Sequence, residues 1–416
     1  MKRRVAVLLA YIGEPFYGLQ YQKWNTTESR ASIHKSKEKT QDQEDINTEQ
    51  PQTSFNTEDL QKIDQTPVEQ LPTIEKTLID FFYEKELLKE SNKLPDRCHL
   101  RRACRTDKGV SAAFNIVSLC LEKKGNLDDI DLKDVEYFKN TFSSTKTPDI
   151  DDFIYFHKLI EVPKSFCPKL YVTHRVYSYL LPKYIFPGIT IGFLQQIFNF
   201  YKGTHNFHNF TKKNTEKGTK RYIMDILVLD DQDFYDIQIK GQSFMMHQIR
   251  KMIGLVALVL WHISDSTFAR SNVLSEELKD EKLPSLAPIQ DQCMAKKKET
   301  INDEPNNEFV TDSTNSKTPC LQSIKAIFDH TLSPQTHNIP KAPSTYLFLR
   351  YCDLDLYNRK CKNNKKNTTE IVIDKHQIDE ISEIIKKYLK KDKTLFEQWK
   401  ECIKEHINEY LPFLHG

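Results

Sequence analysis

Short apolar runs of strand length outnumber helical periodicities along this chain, and the two do not alternate. Arg3–Tyr11, Phe114–Leu121, Asp152–Val162, His174–Leu181, Tyr222–Leu229, Phe234–Lys240 and Thr345–Cys352 are each apolar-rich and bounded by turn or polar residues, which predicts strands. Behind the N-cap residue Thr73, the spacing of Ile74, Leu78, Phe81, Phe82 and Leu88 predicts an amphipathic helix reaching Ser91–Asn92. Further helices are expected over Gly192–Tyr201, over Phe244–Trp261 with Gly254 tolerated inside it, and over Lys393–Tyr410. Without regular βα alternation the pattern points to an α+β fold with a central, mostly antiparallel sheet flanked by helices.

The chain is long enough for two or three units, yet only 38% of its 416 residues are hydrophobic. Two polar stretches account for the dilution. Residues 26–70 have almost no apolar periodicity and read as a disordered insertion, and residues 285–340 read as a low-complexity insertion. Loop-closure entropy grows slowly with length, so long insertions between core elements are tolerated. No run approaches the 18 or so apolar residues of a membrane span, and a soluble protein is expected. The basic and apolar start, Met1 to Ala10, lacks a small-residue cleavage site and runs into the turn Gly13-Glu14-Pro15, so it reads as a strand rather than a leader. Nine cysteines at scattered spacings, without a C-x-x-C pair, predict reduced thiols in an intracellular protein and no zinc site. Cys98 and Cys104 read as small buried side chains.

Net charge is +2, but the average misleads. Residues 26–70 hold ten acids against five bases, and residues 285–340 seven against five, which leaves about +9 on the rest of the chain. Such a body suits an RNA-binding protein.

The sharpest local feature is Arg101-Arg102-Ala103-Cys104-Arg105-Thr106-Asp107-Lys108-Gly109-Val110, one acid among basic residues between two strands. One reading is a charged turn in which Asp107-Lys108-Gly109 supplies hairpin chemistry. The other is a site: neighbouring cations hold an aspartate ionised, and an ionised carboxylate is a nucleophile or base. Downstream, Lys212, Lys213, Lys217, Lys220 and Arg221 surround a single acid, Glu216, and read either as a solvated face or as a phosphate-contacting segment. His205 and His208 have metal-compatible spacing only if helical, and no metal is expected. Phe244, Met245 and Met246 read as core.

Arg105 to Ala112, reading RTDKGVSA, resembles the R-T-D-x-G-V motif of TruA-type pseudouridine synthases, whose aspartate is essential. Four more segments are similar to that family in the same order: VLLAYIGEPFYGLQ at 7–20, RVYSYLLP at 175–182, YKGTHNFHNFTK at 201–212 and GQSFMMHQIRKMIG at 241–254. A weaker match runs from Pro340-Lys341-Ala342-Pro343 into Tyr346–Leu349. Five collinear matches are poorly explained by chance.

The resemblance implies a pseudouridine synthase fold of two similar halves with a basic cleft between them. The halves would be residues 1–25 with 71–170, and residues 171–284 with 341–416. It implies an enzyme that isomerises uridines in tRNA with Asp107 as catalytic residue, without a cofactor or metal. Tyr177 would lie over the target base, Arg250 would pair with Asp107 and keep it charged, and Arg105 would take the place of the flipped base or hold the backbone. Arg101, Arg102 and Lys108, with the basic run Lys212 to Arg221, would contact RNA. The motif forms look most like the eukaryotic branch that modifies several tRNA positions. The nucleus is the expected compartment, with cytoplasm or mitochondrion as alternatives, and tRNA the expected partner, with other RNAs open.

Overall fold

Among the described residues the strands join in one nine-stranded sheet. The computed structural model describes residues 2–22, 71–122, 127, 130, 132–144, 148–186, 188–212, 218–268, 318–363, 369–372, 374–405 and 409–410. The strands are β1 (Arg3–Tyr11), β2 (Arg101–Arg102), β3 (Ser111–Leu121), β4 (Ile154–Val162), β5 (Arg175–Pro182), β6 (Gly203–Asn206), β7 (Lys220–Asp231), β8 (Phe234–Gly241) and β9 (Leu347–Cys352). They lie in the order β4-β1-β3-β9-β5-β8-β7-β6, with β2 added on β3. All pairings are antiparallel except β3 with β9, where Ser111 faces Phe348 and Ala112 faces Leu349. The late strand β9 is therefore the seam between β4-β1-β3 and β5-β8-β7-β6. The expected α+β architecture is present.

Burial explains how the strands read. β3 is buried at every position and β1 at all but its first, because both faces of the sheet are covered there, so these two strands are near-continuous apolar runs. Toward the edge, β7 buries Ile223, Ile226 and Val228 and leaves Tyr222, Met224, Leu227 and Leu229 exposed. Its open backbone is capped by a side chain: Gln195 donates to the Ile226 carbonyl over 2.9 Å and accepts from the Val228 N–H over 2.8 Å. One amide thus stands in for a neighbouring strand at a vulnerable edge.

Among the described residues the helices of seven or more residues are α1 (Ile74–Glu84), α2 (Val135–Thr141), α3 (Ile191–Asn199), α4 (Gln248–Phe268), α5 (Thr318–Leu332), α6 (Asp355–Asn363), α7 (Lys375–Leu389) and α8 (Thr394–Glu405). Thr73 caps α1 as expected, accepting from Lys76 N, but the helix stops at Glu84 and Glu86 turns the chain at φ +57°. Helix α4 begins at Gln248 and not at Phe244, because His247 at φ +65° cannot continue a right-handed helix. Met246, expected in the core, is 41% exposed for the same reason. Gly254 has a reason to be inside α4: a Cβ there would lie 2.0 Å from the Pro340 carbonyl oxygen. The segment 340–342 rests against the helix at that point, with Ala342 N donating to Arg250 O over 3.1 Å.

The low-complexity expectation for 285–340 fails over its last part, where α5 packs Ile324 and Phe328 into the core. The expected insertion at 26–70 lies outside the described residues. Helix α7, not anticipated, buries Ile378, Ile381, Ile385 and Leu389 and lies over β3 and β9. Among the described residues no helix is long and apolar enough to cross a membrane.

Candidate active site

Asp107 opens a turn in which the Val110 N–H donates to the Asp107 carbonyl over 3.1 Å and Gly109 takes φ +77°. A left-handed residue at that place calls for glycine. The two readings of this segment therefore merge, since the turn chemistry presents the carboxylate. The first loop of the chain braces the turn from below. Gly13 N donates to Ser111 Oγ over 2.9 Å, Leu19 N to the Thr106 carbonyl over 3.2 Å, and Gly109 N to the Phe16 carbonyl over 3.3 Å. The Tyr11 and Thr106 hydroxyls share a buried hydrogen bond of 2.9 Å. At Gly13 a Cβ would sit 2.3 Å from the Val110 carbonyl oxygen, so only glycine allows this approach.

The carboxylate faces a cavity of about 610 Å³ whose lining includes Arg105, Lys108, Lys212, Arg250 and Lys341, with Glu14 as the other acid. Lys212, His247 and Lys341 also line an adjoining cavity of about 670 Å³. Asp107 is 30% exposed at its side chain and His247 14%. His247 Nδ1 lies 2.9 Å from Asp107 Oδ2. A carboxylate only accepts, so Nδ1 carries the proton of this bond. Burial pushes the Asp107 pKa upward, but the His247 hydrogen bond and charge, with Arg250 and Lys341, outweigh it and hold the carboxyl below its ordinary value. The cations are crowded in turn. Burial, then the charge of Arg250, pulls the Lys341 ammonium down, with Lys212 adding to the effect and Asp107 opposing it. A site where cations outnumber the two carboxylates is electrostatically suited to a polyanion.

Arg105, Lys108, Lys212 and Arg250 converge on Asp107, and the Lys108 ammonium sits 3.9 Å from the Tyr17 ring centre. Arg101 and Lys220 are exposed elsewhere on the surface. Others depart from expectation. Arg250 does not make the direct contact with Asp107: its Nε donates to the Ala342 carbonyl over 2.6 Å, and it acts on Asp107 only through its charge. His247, four residues after Gln242-Ser243 on the approach to α4, makes that contact instead. Arg102 is held by Glu75 of α1, a wholly buried side chain, its Nη2 donating over 3.0 Å, and so is not presented to RNA. Arg221 folds back on the carbonyls of Gly218 and Lys220. Tyr177 does not line the cavity; it is 8% exposed and packs edge-on against Phe244, ring centres 5.3 Å apart. Lys213 and Lys217 lie outside the described residues.

Sequence reasoning missed His247, Lys341 and Glu75. The first two lie within segments that carry the family resemblance, but nothing in one dimension says that residues 107, 247 and 341 meet. Glu75 reads as an ordinary first-turn acid of an amphipathic helix.

The mixed sheet flanked by helices agrees with the fold expected of a pseudouridine synthase, and it carries a cationic cavity around Asp107. The profile of the tRNA pseudouridine synthase family matches residues 197–295. The mouse protein named pseudouridylate synthase 1 homolog is 35% identical over 225 residues, 49% of this chain and 50% of that protein. The tRNA pseudouridine synthase A of Methanocaldococcus jannaschii is 30% identical over 179 residues, 42% of this chain and 60% of that protein. The tRNA pseudouridine(38/39) synthase of Saccharomyces cerevisiae is 30% identical over 203 residues, 45% and 43% of the two chains. The chain spans about half the length of the mouse and human relatives it matches. Over these stretches the chain is similar to proteins named as pseudouridine synthases from mammals, archaea and yeast.

Proposed function

We propose that this chain converts uridines of tRNA to pseudouridine, with Asp107 as the catalytic residue. The observation that carries the reading is the ionised Asp107 in a cavity lined by Arg105, Lys108, Lys212, Arg250 and Lys341. The reaction breaks the bond from ribose C1′ to uracil N1 and joins C1′ to C5, and the proton displaced from C5 ends on N1. It is redox-neutral, so a carboxylate suffices as nucleophile or base without a cofactor. A uracil in folded tRNA is stacked and must be flipped out, at a cost of a few kcal/mol offset by pocket contacts. Arg105, exposed at the mouth, holds the backbone or fills the vacated place. The surrounding cations contact phosphates, and their surplus fits a substrate that is larger than one nucleotide.

The H-N-F-H-N-F-T and F-M-M-H-Q-I-R segments favour the eukaryotic branch acting at several tRNA positions, and we place the protein in the nucleus. Incubating the purified chain with an unmodified tRNA pool and mapping pseudouridines chemically tests the activity and the branch together. Modification at several distinct positions is the expected result. A pool left unmodified by a folded, tRNA-binding protein would rule out the isomerase reading.

A further inference from the structure

We propose that His247 is the positioning residue of this site: its imidazole fixes one carboxylate oxygen of Asp107 and leaves the other for the substrate. The inference rests on the isomerase reading for its kinetic consequences, though not for its structural ones. Three observations carry it. Nδ1 of His247 lies 2.9 Å from Oδ2 of Asp107, on a side chain that is itself only 14% exposed. His247 holds a left-handed backbone at φ +65°, uncommon for a residue with a Cβ, and this conformation persists only where the surroundings enforce it. The surroundings are visible. Lys251 N donates to the His247 carbonyl over 3.0 Å, and the buried Gln248 accepts from Met245 N over 2.9 Å, so both sides of His247 are tied to the first turn of α4. The long helix, packed through the core, thereby sets where the imidazole stands. Arg250, one turn further on, has its Nε committed to the Ala342 carbonyl, and His247 is what remains to orient the carboxylate.

The arrangement also has an electrostatic side. Burial raises the proton affinity of Asp107, and the His247 hydrogen bond is the largest influence against it, ahead of the charges of His247, Arg250 and Lys341. Arg105, Lys108, Lys212 and Glu14 line the same cavity. Loss of the imidazole therefore leaves a carboxyl that takes up its proton at higher pH. Since the carboxylate is the active form, activity is lost from a higher pH as the solution is acidified.

The backbone dictates which variants test this. An alanine at φ +65° is strained whatever it removes, whereas glycine is at ease there and asparagine is among the residues that tolerate it. His247→Gly removes the donor; His247→Asn places an amide N–H close to where Nδ1 stands. With tRNA as substrate, His247→Gly is expected to lose about 100-fold in kcat at a KM changed by no more than a few-fold, with the acid limb of the pH profile moved upward. His247→Asn is expected to recover most of the rate. In parallel, carbon-13 NMR of labelled aspartate follows the Asp107 carboxyl directly, its resonance assigned with Asp107→Asn, and is expected to show a raised titration in His247→Gly. A glycine variant with unchanged kcat and titration, or an asparagine variant no better than glycine, overturns the role of His247. An inactive wild type whose carboxyl nevertheless shifts on His247→Gly would instead overturn the isomerase reading while leaving the pairing established.

Discussion

The Lys386 ammonium of α7 lies 2.8 Å from Asp236, whose side chain is wholly buried in β8. The same ammonium is 3.4 Å from Asp231, which is also 2.5 Å from Lys390, and Lys393 is 2.8 Å from Asp233. The lysine-rich stretch at the end of α7 is therefore a clamp on the acidic β7–β8 hairpin. The same helix covers β3, so it ties together strands on both sides of the seam.

Replacing Lys386 by methionine should destabilise the protein by about 3 kcal/mol, since the buried Asp236 carboxylate loses its nearest cation and is left with Arg350, 3.8 Å away, and the Gln238 amide. Burial pulls the Lys386 pKa down, but Asp236 outweighs it and raises the value; Asp231 is held low by its lysines against burial. The lysine contribution is complete below about pH 10.4 and disappears as pH rises through the higher folded value. The Asp231 contribution is present above about pH 3.9 and disappears as pH falls through its lower folded value. Urea titrations across this window should show a plateau for the wild type and a lower plateau for the variant.

Asp107→Asn should abolish pseudouridine formation while tRNA affinity stays within a few-fold, because phosphate contacts dominate affinity. Product mapping and filter binding on the same preparation check both halves of this expectation. Appreciable turnover by the variant would remove Asp107 from the mechanism.

Gly13→Ala should damage the site without touching it. The new Cβ would meet the Val110 carbonyl at 2.3 Å, and both backbones are held by hydrogen bonds. Overpacking of this kind costs about 2 kcal/mol, and a shifted Asp107 should lose about 100-fold in kcat. Thermal unfolding and single-turnover kinetics measure the two effects separately.

Lys212 and Arg102 were grouped by sequence and are separated by structure. Lys212→Ala should reduce the slope of log affinity against log salt by about 0.7 to 0.9 and weaken different tRNAs alike. Arg102→Met should leave that slope unchanged and cost about 3 kcal/mol of stability, since Glu75 is left buried. Burial already raises the Glu75 pKa in spite of Arg102, so in the variant the loss should shrink at low pH, where a proton neutralises the carboxyl. Salt-dependent binding and pH-dependent unfolding distinguish the two residues.

Local chemistry determined much of this protein from sequence alone. Apolar runs with turn residues at their ends located most strands to within a few residues, because a strand buried on one or both faces must be apolar in a regular way. Thr73 marked the start of α1, and the RTDKGV segment singled out Asp107 as one acid among cations. The sequence pattern also carried the α+β class and the family resemblance. Tertiary structure alone decided what those side chains meet. Helix α7 was hidden because its isoleucines are diluted by lysine and glutamate, and those charges make sense only beside the aspartates of a hairpin some 150 residues earlier in the chain. Where α4 begins depends on one left-handed residue, and that residue is the one the fold sets against Asp107. Arg102 and Arg250 carry the same charge as Arg105, and only packing decides that one is neutralised by Glu75 and the other bound to a backbone carbonyl. Periodicity reports which face of an element is buried; pairing across 140 residues is a property of the folded chain.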